Sequence, residues 1–574
     1  MTLMTSLSFV NYALSHLEMH FMTKEKNHEI RKISSNNRSV YVAFISIGNP
    51  TIRARVFTET ANNLDKLFNK LQKKAVNLVR KNVDPSWIKV DVVDDVEEIS
   101  FFELEKLIAK TRRNYFRYGI SFDSEFRLAL LEQELNGNMI LRSVGDGPIE
   151  IDDKNMNHYL NYRYGGRQFP FVKSLYRNSN VFLFKTTASF IDKEDLQIYD
   201  LYNGELSNGI RKVNDIGKEV RSLIERSTYF LTNQVHEDGR FTYGYFSAFG
   251  RKINTYNILR HASTLYSMAE GYEIIKDENI IHAIKRGLDY LIREAVKYKN
   301  EDTAFVVDYA NNNEIKLGSN ATAILAITKY TEVTGDKKYI KVAQDLARGI
   351  IAMKTPSGGF IHVLTYPSYE IKELYRIIYY EGEATFSLLR LYAIDKQEMW
   401  LDEVKKSFEY FIDKNYWKHS DHWLSYAANE LTKYEPEEKY FIFGLKNANK
   451  KLSFIYHRDT TFPTFLELMM ATYKMVGKIK ELEKDYLLEH IDDNFLIKTI
   501  DHRAEYQRVG FFYPEVAMYM KNPSLILHGF FIRHHSLRVR IDDVEHYLSG
   551  YCQYLNGRIP ELPPKYYTDL TTTK

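Results

Sequence analysis

The sequence has 574 residues, of which 44% are hydrophobic and 27% charged, the composition of a folded protein long enough for two or more domains. Its 78 basic and 75 acidic residues nearly cancel, so the net charge of +3 speaks against a nucleic-acid or anionic-membrane partner. The single cysteine, Cys552, excludes an intramolecular disulfide framework and a cysteine-rich metal site.

The first residues, MTLMTSLSFVNYALSHLEMHF, lack the basic segment and the small-residue cleavage site of a secretory leader. No apolar run in the sequence approaches the roughly 18 residues that a membrane-spanning helix needs. We therefore predict a soluble, cytoplasmic protein with no membrane span.

The first third of the chain mixes strand and helix patterns. Runs of β-branched residues on both sides of Asn49-Pro50 predict a hairpin over 40–56. Further elements are predicted as helices over 62–81 and 101–111 and as strands over 87–93 and 184–190. We predict an α+β domain of unknown role over residues 1–210.

Three arginines lie among aromatic residues in the segment RRNYFRYG, residues 112–119. They could bind an anion, but pairing with the acidic segment at 94–98 is the more ordinary interpretation and the one we favour. The chain has no glycine-rich phosphate loop, no dinucleotide-binding glycine motif and no HExxH zinc motif. We therefore predict no cofactor, no metal and no nucleotide-dependent phosphoryl transfer.

The remaining two thirds of the chain are helical in pattern, and short turns alternate with long polar loops. Gly239-Arg240-Phe241 and Gly358-Gly359-Phe360 each begin a long loop that is rich in tyrosine. Helix starts recur near residues 256, 319 and 381, a spacing of roughly 60 residues that suits helical hairpins with long loops. Helices are predicted over 216–233, 257–275, 278–297, 319–334, 336–353, 381–394, 398–414, 424–433, 437–450, 462–476, 478–490, 513–521 and 541–555.

This alternation, with the GRF and GGF turns and the helix entry YYEGEATFSLLRLY at 379–392, resembles the (α/α)6-barrel, or six-hairpin, superfamily. That superfamily includes glycoside hydrolases, polysaccharide lyases, N-acylglucosamine and cellobiose 2-epimerases and the helical domain of glucuronyl C5-epimerases. The resemblance implies an α-dominated, multidomain protein in which an (α/α)6 toroid over 211–560 follows the α+β domain. A polar tail is predicted over 561–574. The resemblance also implies a carbohydrate substrate, bound where the long loops converge.

Polar residues in these loops and at the starts of the helices that follow them are the candidates for chemistry. The catalytic candidates are Asp238, His261, Tyr380, Glu381, Glu383 and Asp543. The candidates for substrate binding are Arg240, Tyr243, Tyr245, Arg260, Asn320, His362, Tyr379, His422, Trp423, His457, Arg458, Asp459 and Arg540. Glycoside hydrolysis needs one protonated and one ionised carboxyl group, which this set could supply. Acidic residues in a first helical turn also suit the helix dipole without any catalytic role.

Three other functions stay open. A sugar epimerase or polysaccharide lyase would use Tyr or His bases and arginines that hold an anion, and the same loops contain these residue types. A non-catalytic protein would use the cleft of the ring to bind a partner. The third possible function is that of an enzyme that acts on a peptide or isoprenoid. We favour the hydrolase, because hydrolases dominate the superfamily that the sequence resembles. The pattern does not determine the oligomeric state.

Overall fold

The computed structural model describes residues 4–35, 38–143, 145, 147–166, 170–204 and 209–561. The predicted polar tail lies outside this range except for its first residue. No helix among the described residues is long and apolar enough to cross a membrane.

The N-terminal region is built on an antiparallel sheet. Its helices are α1 (Ser6–Lys26), α2 (Leu64–Val79), α3 (Phe101–Lys110), α4 (Glu132–Gly137) and α5 (Asp153–Tyr164). Its strands are β1 (Ile33–Ser35), β2 (Arg38–Asn49), β3 (Ile52–Ala61), β4 (Trp87–Ser100), β5 (Gly119–Ser121), β6 (Ala129–Leu130), β7 (Leu141–Ser143), β8 (Ile149–Ile151), β9 (Asn180–Asp192) and β10 (Ile198–Asp200). The main sheet has the order β1-β2-β4-β9-β5-β6, with β3 beside β2 and β10 beside β9, while β7 and β8 pair separately. The predicted hairpin is confirmed, because Asn49 lies opposite Ile52 at the β2–β3 turn.

The two faces of this sheet pack against different partners, because successive side chains of a strand point to opposite faces. Ala43 and Ile45 pack on one face in a core with α1 and α2. Val42 and Phe44 pack on the other face, in a core that includes Tyr519 from the C-terminal part of the chain. The sheet therefore serves as a layer between two helices and the helical region.

The helical region contains twelve long helices in six hairpins. Two short helices, α15 and α18, lie between long ones. In chain order the helices are α6 (Ile216–Thr232), α7 (Ile258–Ile275), α8 (Glu278–Ala295), α9 (Leu317–Thr334), α10 (Ile340–Ala352), α11 (Tyr379–Asp395), α12 (Glu398–Asp413), α13 (His422–Leu431), α14 (Glu438–Asn449), α15 (Leu452–His457), α16 (Thr464–Glu481), α17 (Asp493–Tyr506), α18 (Pro514–Ala517) and α19 (Ile541–Gly557). Six of them, α7, α9, α11, α13, α16 and α19, pack side by side, and α19 contacts α7 to close the ring. The other long helices surround them, which confirms the predicted (α/α)6 barrel.

The burial pattern explains which helices are inside. On α9 every residue from Leu317 to Thr331 is buried, so the helix has no solvent face. On α8 the buried residues recur at helical spacing and leave a polar face for solvent. A helix that is buried on all sides belongs in the centre of a layered fold, and an amphipathic one belongs on its outside.

The ends of the inner helices define two different mouths. Short turns follow the C-terminal ends of most inner helices, and the long loops precede their N-terminal ends. These loops carry small sheets of β11 (Gly244–Phe246), β12 (Arg251–Lys252), β13 (Val296–Tyr298), β14 (Ala304–Asp308), β15 (Glu314–Lys316), β16 (Val363–Thr365), β17 (Ile371–Glu373) and β18 (Arg538–Arg540). We call the N-terminal end the loop mouth and the C-terminal end the turn mouth.

One stretch of helix prediction was wrong. The predicted break near Gly477 is absent, because α16 continues to Glu481 and Gly477 lies inside it. A glycine within a helix costs only about 1 kcal/mol relative to alanine, which tertiary packing offsets. The next helix, α17, begins after Asp492, whose side chain caps the nitrogen of Phe495, and it replaces the helix predicted over 478–490.

The favoured pairing of the 112–119 arginines with the acidic segment was also wrong. Arg112 pairs with Asp459 at 3.2 Å, and Arg113 donates to the hydroxyl of Ser536 at 3.1 Å. Both partners lie in loops of the loop mouth, so this segment joins the N-terminal region to that rim. The division of the chain at residue 210 stays a prediction.

Candidate active site at the loop mouth

The N-terminal ends of four inner helices bring a buried cluster of acidic groups and histidines to the barrel axis. The helices α11, α13, α16 and α19 contribute Glu383, His422, Glu467, Glu545 and His546. Glu383, His422, Glu467 and Glu545 are at least 96% buried. We call these five residues the central cluster.

Helix geometry separates the two glutamates of the motif YYEGE. Residues two apart on an α-helix point about 200° away from each other, so only one of the pair can face the axis. Glu383 faces the axis, because its carboxyl group interacts electrostatically with Glu545 and His546 of α19. Glu381 points instead towards the loop that precedes α11.

Glu381 forms a buried pair with His362. The His362 Nε2 atom lies 2.8 Å from Glu381 Oε1, and both side chains are almost fully buried. His362 Nδ1 accepts a hydrogen bond from the backbone nitrogen of Arg376 at 2.9 Å. Nδ1 is therefore unprotonated, and Nε2 carries the proton and donates it to Glu381. The pair therefore holds the 362–376 loop in place against α11.

Glu383 is a carboxyl group without a hydrogen-bond partner among the described residues. Burial raises its pKa well above the usual range, and the neighbouring carboxyl of Asp421 adds to the effect. Its Oε2 atom is enclosed and makes no hydrogen bond. Gly318 on α9 makes room for it, because a Cβ atom there would lie 2.1 Å from that oxygen. Glu383 is therefore held neutral, in the state of a proton donor.

His546 carries a positive charge. Burial alone would lower its pKa, but the carboxylates of Glu545 and Glu467 oppose this and raise the pKa to about 10. The shortest contact joins His546 Nδ1 to Glu467 Oε2 at 3.0 Å. Glu467 also accepts from the hydroxyl of Tyr426 at 3.3 Å, so both of its oxygens are engaged.

His422 carries no charge and faces His546. Burial lowers the pKa of His422 to about 3. Its Nε2 atom is enclosed and has no hydrogen-bond partner in the described part of the chain. The two imidazole rings have centroids 5.3 Å apart and meet edge to face, although α16 lies between their helices in the ring. A neutral and a charged imidazole therefore meet across the barrel axis.

Arginines and aspartates form a second layer towards the outside of the loop mouth. Arg260 on α7 contacts Asp542 at 2.9 Å and donates to the Tyr243 hydroxyl at 3.0 Å. Arg540 binds both oxygens of Asp543, at 2.8 and 3.0 Å. Burial and the neighbouring Asp543 raise the pKa of Asp542. The predicted residues Tyr243, Arg260, Arg540 and Asp543 thus lie together, one turn of α19 outside the central cluster.

Aromatic residues line the approach to His422. Tyr379 packs edge to face on its ring at a centroid distance of 5.5 Å, and Trp423 lies at 5.1 Å. Tyr380, about one turn before Glu383 on α11, packs its ring against His362 and lies with Glu383 beside Gly318 of α9. Tyr245 is buried in β11, which pairs with β18 beside Arg540.

The structure places other predicted residues away from the cluster. His261 lies between α7 and α8, where its Nε2 atom contacts the carbonyl oxygen of Gly287 at 2.9 Å. Burial lowers the pKa of His261 to about 4. Asn320 is also fully buried, and its side-chain oxygen accepts from the backbone nitrogen of Val306. These two side chains hold elements together and have no path to the axis.

Five further predicted residues lie on the outer part of the rim. Asp238 and Arg240 are exposed on a turn whose Gly239 packs tightly on the outer helix α8. His457 is exposed, and Arg458 stacks on phenylalanine rings such as that of Phe462, at 5.2 Å. Asp459 pairs with Arg112 of the N-terminal region. None of these side chains reaches the central cluster.

Sequence reasoning did not select Glu467, Glu545 or His546 as catalytic or binding residues. Glu467 is the single acidic residue in the apolar run TFLELMMA at the start of α16. A charged residue in such a run indicates a buried partner, because a charged side chain is rarely buried without one. The partner, His546, is 79 positions away and could not be read from the sequence.

The same residues could also hold a metal ion. His422, Glu467 and His546 each offer one ligand atom, and these atoms lie within 4.8 Å of one another. Two histidines and a carboxylate form a donor set that divalent transition metals accept. A metal would have to displace the proton from His546 and its hydrogen bond to Glu467, because a histidine ligand must be unprotonated. The prediction that the protein has no metal is untested.

Comparisons with known proteins give matches at the level of structure only. No protein-family model and no curated protein sequence matches the chain. One similar solved structure is a sugar epimerase from a ruminal bacterium, with 13% identity, a TM-score of 0.46 and coverage of 60% of this chain and 99% of the other. Another is a cellobiose 2-epimerase from Bacillus thermoamylovorans, with 12% identity, a TM-score of 0.47 and coverage of 60% and 100%. A third is an α-1,6-mannanase from Salegentibacter sp., with 16% identity, a TM-score of 0.41 and coverage of 59% and 98%.

Proposed function

We propose that this protein moves a proton at a carbon atom next to the carbonyl group of a sugar or sugar derivative, and so acts as an epimerase or isomerase. The observation that carries the proposal is the pair of His422 and His546, whose rings meet edge to face at a centroid distance of 5.3 Å. Two carboxyl groups hold His546, whereas His422 Nε2 has no hydrogen-bond partner among the described residues. A neutral imidazole is a general base, and an imidazolium is a general acid. Such a reaction needs both, one to remove the proton and one to return a proton or to donate to the carbonyl oxygen.

The contacts around the pair support the division of roles. His546 is held by Glu467 and Glu545, which keep it protonated and fix its ring. His422 Nε2 is enclosed and has no hydrogen-bond partner among the described residues, so no protein group occupies the atom that would accept the proton. Glu383 is neutral and could donate a hydrogen bond to a substrate oxygen, where negative charge develops during enolisation. In this scheme His422 is the base, and His546 and Glu383 are proton or hydrogen-bond donors.

The surroundings favour a carbohydrate as the substrate. Trp423 and Tyr379 present flat rings beside the base, which suits the apolar face of a sugar ring. Arg260, Arg540 and Tyr243 offer donors one turn further out, which suits its hydroxyl groups. Because the residues come from several inner helices, the substrate would enter along the barrel axis from the loop mouth.

Glycoside hydrolysis is the second candidate, and Glu383 is the observation that favours it. A buried carboxyl with a raised pKa is the general acid that hydrolysis needs. The second carboxyl must be free to reach the substrate, however. Glu467 is engaged by His546 and Tyr426, and Glu545 by His546 and Ser263. Asp543, a predicted catalytic residue, is held by Arg540 on both oxygens. We therefore place hydrolysis after epimerisation.

The test is hydrogen exchange in the substrate. The protein is incubated in deuterated water with a panel of aldoses, disaccharides and N-acyl sugars, and NMR follows deuterium at the carbon next to the carbonyl. We expect exchange by the natural protein and its loss in His422→Asn and His546→Asn. His419→Asn is the matched control, because His419 is exposed near the start of the same helix. Released sugars without exchange would favour the hydrolase, and exchange that stops on treatment with a chelator would favour the metal centre.

A further inference from the structure

A cavity lies on the barrel axis at the turn mouth. Its volume is about 370 Å³, within the range of pockets that hold small molecules. All six inner helices contribute residues to its wall, among them Tyr266, Phe386 and Tyr426. These three rings contact one another, with Phe386 stacked on Tyr426 at 5.3 Å and edge to face with Tyr266 at 6.5 Å. They form a layer one helical turn beyond the central cluster, so this cavity is separate from the candidate active site.

The wall of this cavity is strongly charged. It contains the cations Lys329, Arg390, Lys433, Lys474 and Lys478 and the glutamates 270, 273, 332 and 430. Three of the cations are neutralised by ion pairs: Lys329 with Glu273, Arg390 with Glu332 and Glu430, and Lys433 with Glu430. The other two, Lys474 and Lys478, need a separate explanation.

Lys474 and Lys478 are bound by neutral groups only. Lys474 donates to the side-chain oxygen of Gln553, and Lys478 donates to the carbonyl oxygen of Asn429 and to the hydroxyl of Thr432. Among the described residues, neither lysine has a carboxylate within ion-pair distance. They lie four residues apart on α16, so the two charges stack on one face of the helix and repel each other.

Helix dipoles explain part of this arrangement but not all of it. The negative ends of the inner helices point to the turn mouth and favour basic residues in the last turn. Lys478 is in the last turn of α16 and binds the end of α13, so the dipole accounts for it. Lys474 lies seven residues before the final Glu481, where the dipole has little effect. Burial lowers the pKa of both lysines, that of Lys478 to about 7, because nearby carboxyl groups such as Glu430 offset only part of the cost of burying the charges.

We propose that the turn-mouth cavity is a binding site for a phosphate group, held between Lys474 and Lys478. Two ammonium groups one turn apart can each bind a different oxygen of one dianion, and Gln553 and Thr432 hold these ammonium groups in place. The ligand is inorganic phosphate or the phosphate of a sugar ester, because the cavity has room for more than the phosphate itself. This site is independent of the chemistry proposed for the loop mouth.

The experiment is calorimetric titration of the full chain with inorganic phosphate, and in parallel with glucose 6-phosphate and sulfate. We expect saturable binding, weakened at least about tenfold by Lys474→Met or Lys478→Met, since a hydrogen bond between charged groups contributes that much. Lys480→Met is the matched control, because Lys480 is on the same helix but pairs with Asp493 on the outside, and its affinity should match that of the natural protein. Tighter binding of the ester than of phosphate would identify the ester as the ligand, and equal binding would identify free phosphate.

Binding should also take up protons. A bound dianion raises the pKa of Lys478, so at pH 7.5 the measured heat should depend on the ionisation enthalpy of the buffer, and Lys478→Met should remove that dependence. If Lys478→Met does not fold, Lys474→Met decides the question alone. The proposal is overturned if no phosphate compound binds below about 10 mM, or if both lysine variants keep the natural affinity. It is also overturned if binding is lost in Arg540→Met instead, because the phosphate would then occupy the loop mouth.

Discussion

Replacing Glu467 by glutamine should lower the pKa of His546 and remove part of the stability of the fold. Glu467 is 1% exposed, and its carboxylate lies 3.0 Å from His546 Nδ1. A hydrogen bond between charged groups contributes about 1.5–3 kcal/mol, which corresponds to about one to two pKa units. Glu545 still favours the charged imidazole in the variant, so the pKa should fall from about 10 without returning to 6.5.

The sign of the pH dependence follows from the same contact. The folded pKa of His546 is above its unfolded value of 6.5, so the stabilisation is complete below pH 6.5 and disappears as the pH rises through about 10. The difference in unfolding free energy between the natural protein and Glu467→Gln should therefore shrink between these two values.

Two measurements check this prediction. NMR titration of protein with labelled histidine gives the pKa, and His546→Asn identifies the signal. Denaturant unfolding at pH 6.5, 8 and 10 gives the stability difference. Glu481→Gln is the control, because Glu481 is exposed at the other end of the same helix. An unchanged pKa, or a stability difference that stays constant up to pH 10, would refute the reasoning.

Four further substitutions test the packing and the buried charges. Glu383→Gln should stabilise the protein at pH 7 but not at pH 4, because the buried acid costs about 1.4 kcal/mol per pH unit above 4.5 until its folded pKa is reached; thermal unfolding at both pH values checks this. Gly382→Ala should lower the unfolding free energy by about 1–3 kcal/mol, because the new Cβ would lie 2.5 Å from a backbone nitrogen of α13. Gly477→Ala, where the space is open, should raise it by about 1 kcal/mol, and urea titrations would show both signs. Lys89→Met should cost about 3–5 kcal/mol, because it leaves the fully buried Asp91 without its partner at 2.9 Å; an unchanged urea midpoint would contradict this.

Much of the fold could be predicted from local patterns. The period of apolar residues gave most of the barrel helices to within a few residues, because a helix buries a recurring face whatever its partner is. The helix prediction after Gly477 was wrong, because a glycine is compatible with both the end and the interior of a helix. Packing decides between these two. The predicted partners of the arginines at 112–119 were wrong for a related reason. Several acidic partners were possible, and only the folded chain brings Asp459 to Arg112.

Local patterns predicted the candidate site less well than the fold. Helical geometry alone requires Glu381 and Glu383 to face different directions, yet it does not say which of them faces the axis. His261 and His422 each occur near the start of an inner helix and could not be told apart by residue type. The first turned out to lie between two helices and the second on the axis.

The sequence by itself determined the helical hairpins, their alternating short and long connections and the rim on which the polar loops lie, since these depend on residues close together in the chain. Only the tertiary structure decided which polar groups share one buried space. Closure of α19 onto α7 brings His546 to His422 and Glu467, although these residues are far apart in the chain. The different pKa values of the two histidines depend on burial and on those distant charges, so they arise only in the closed ring.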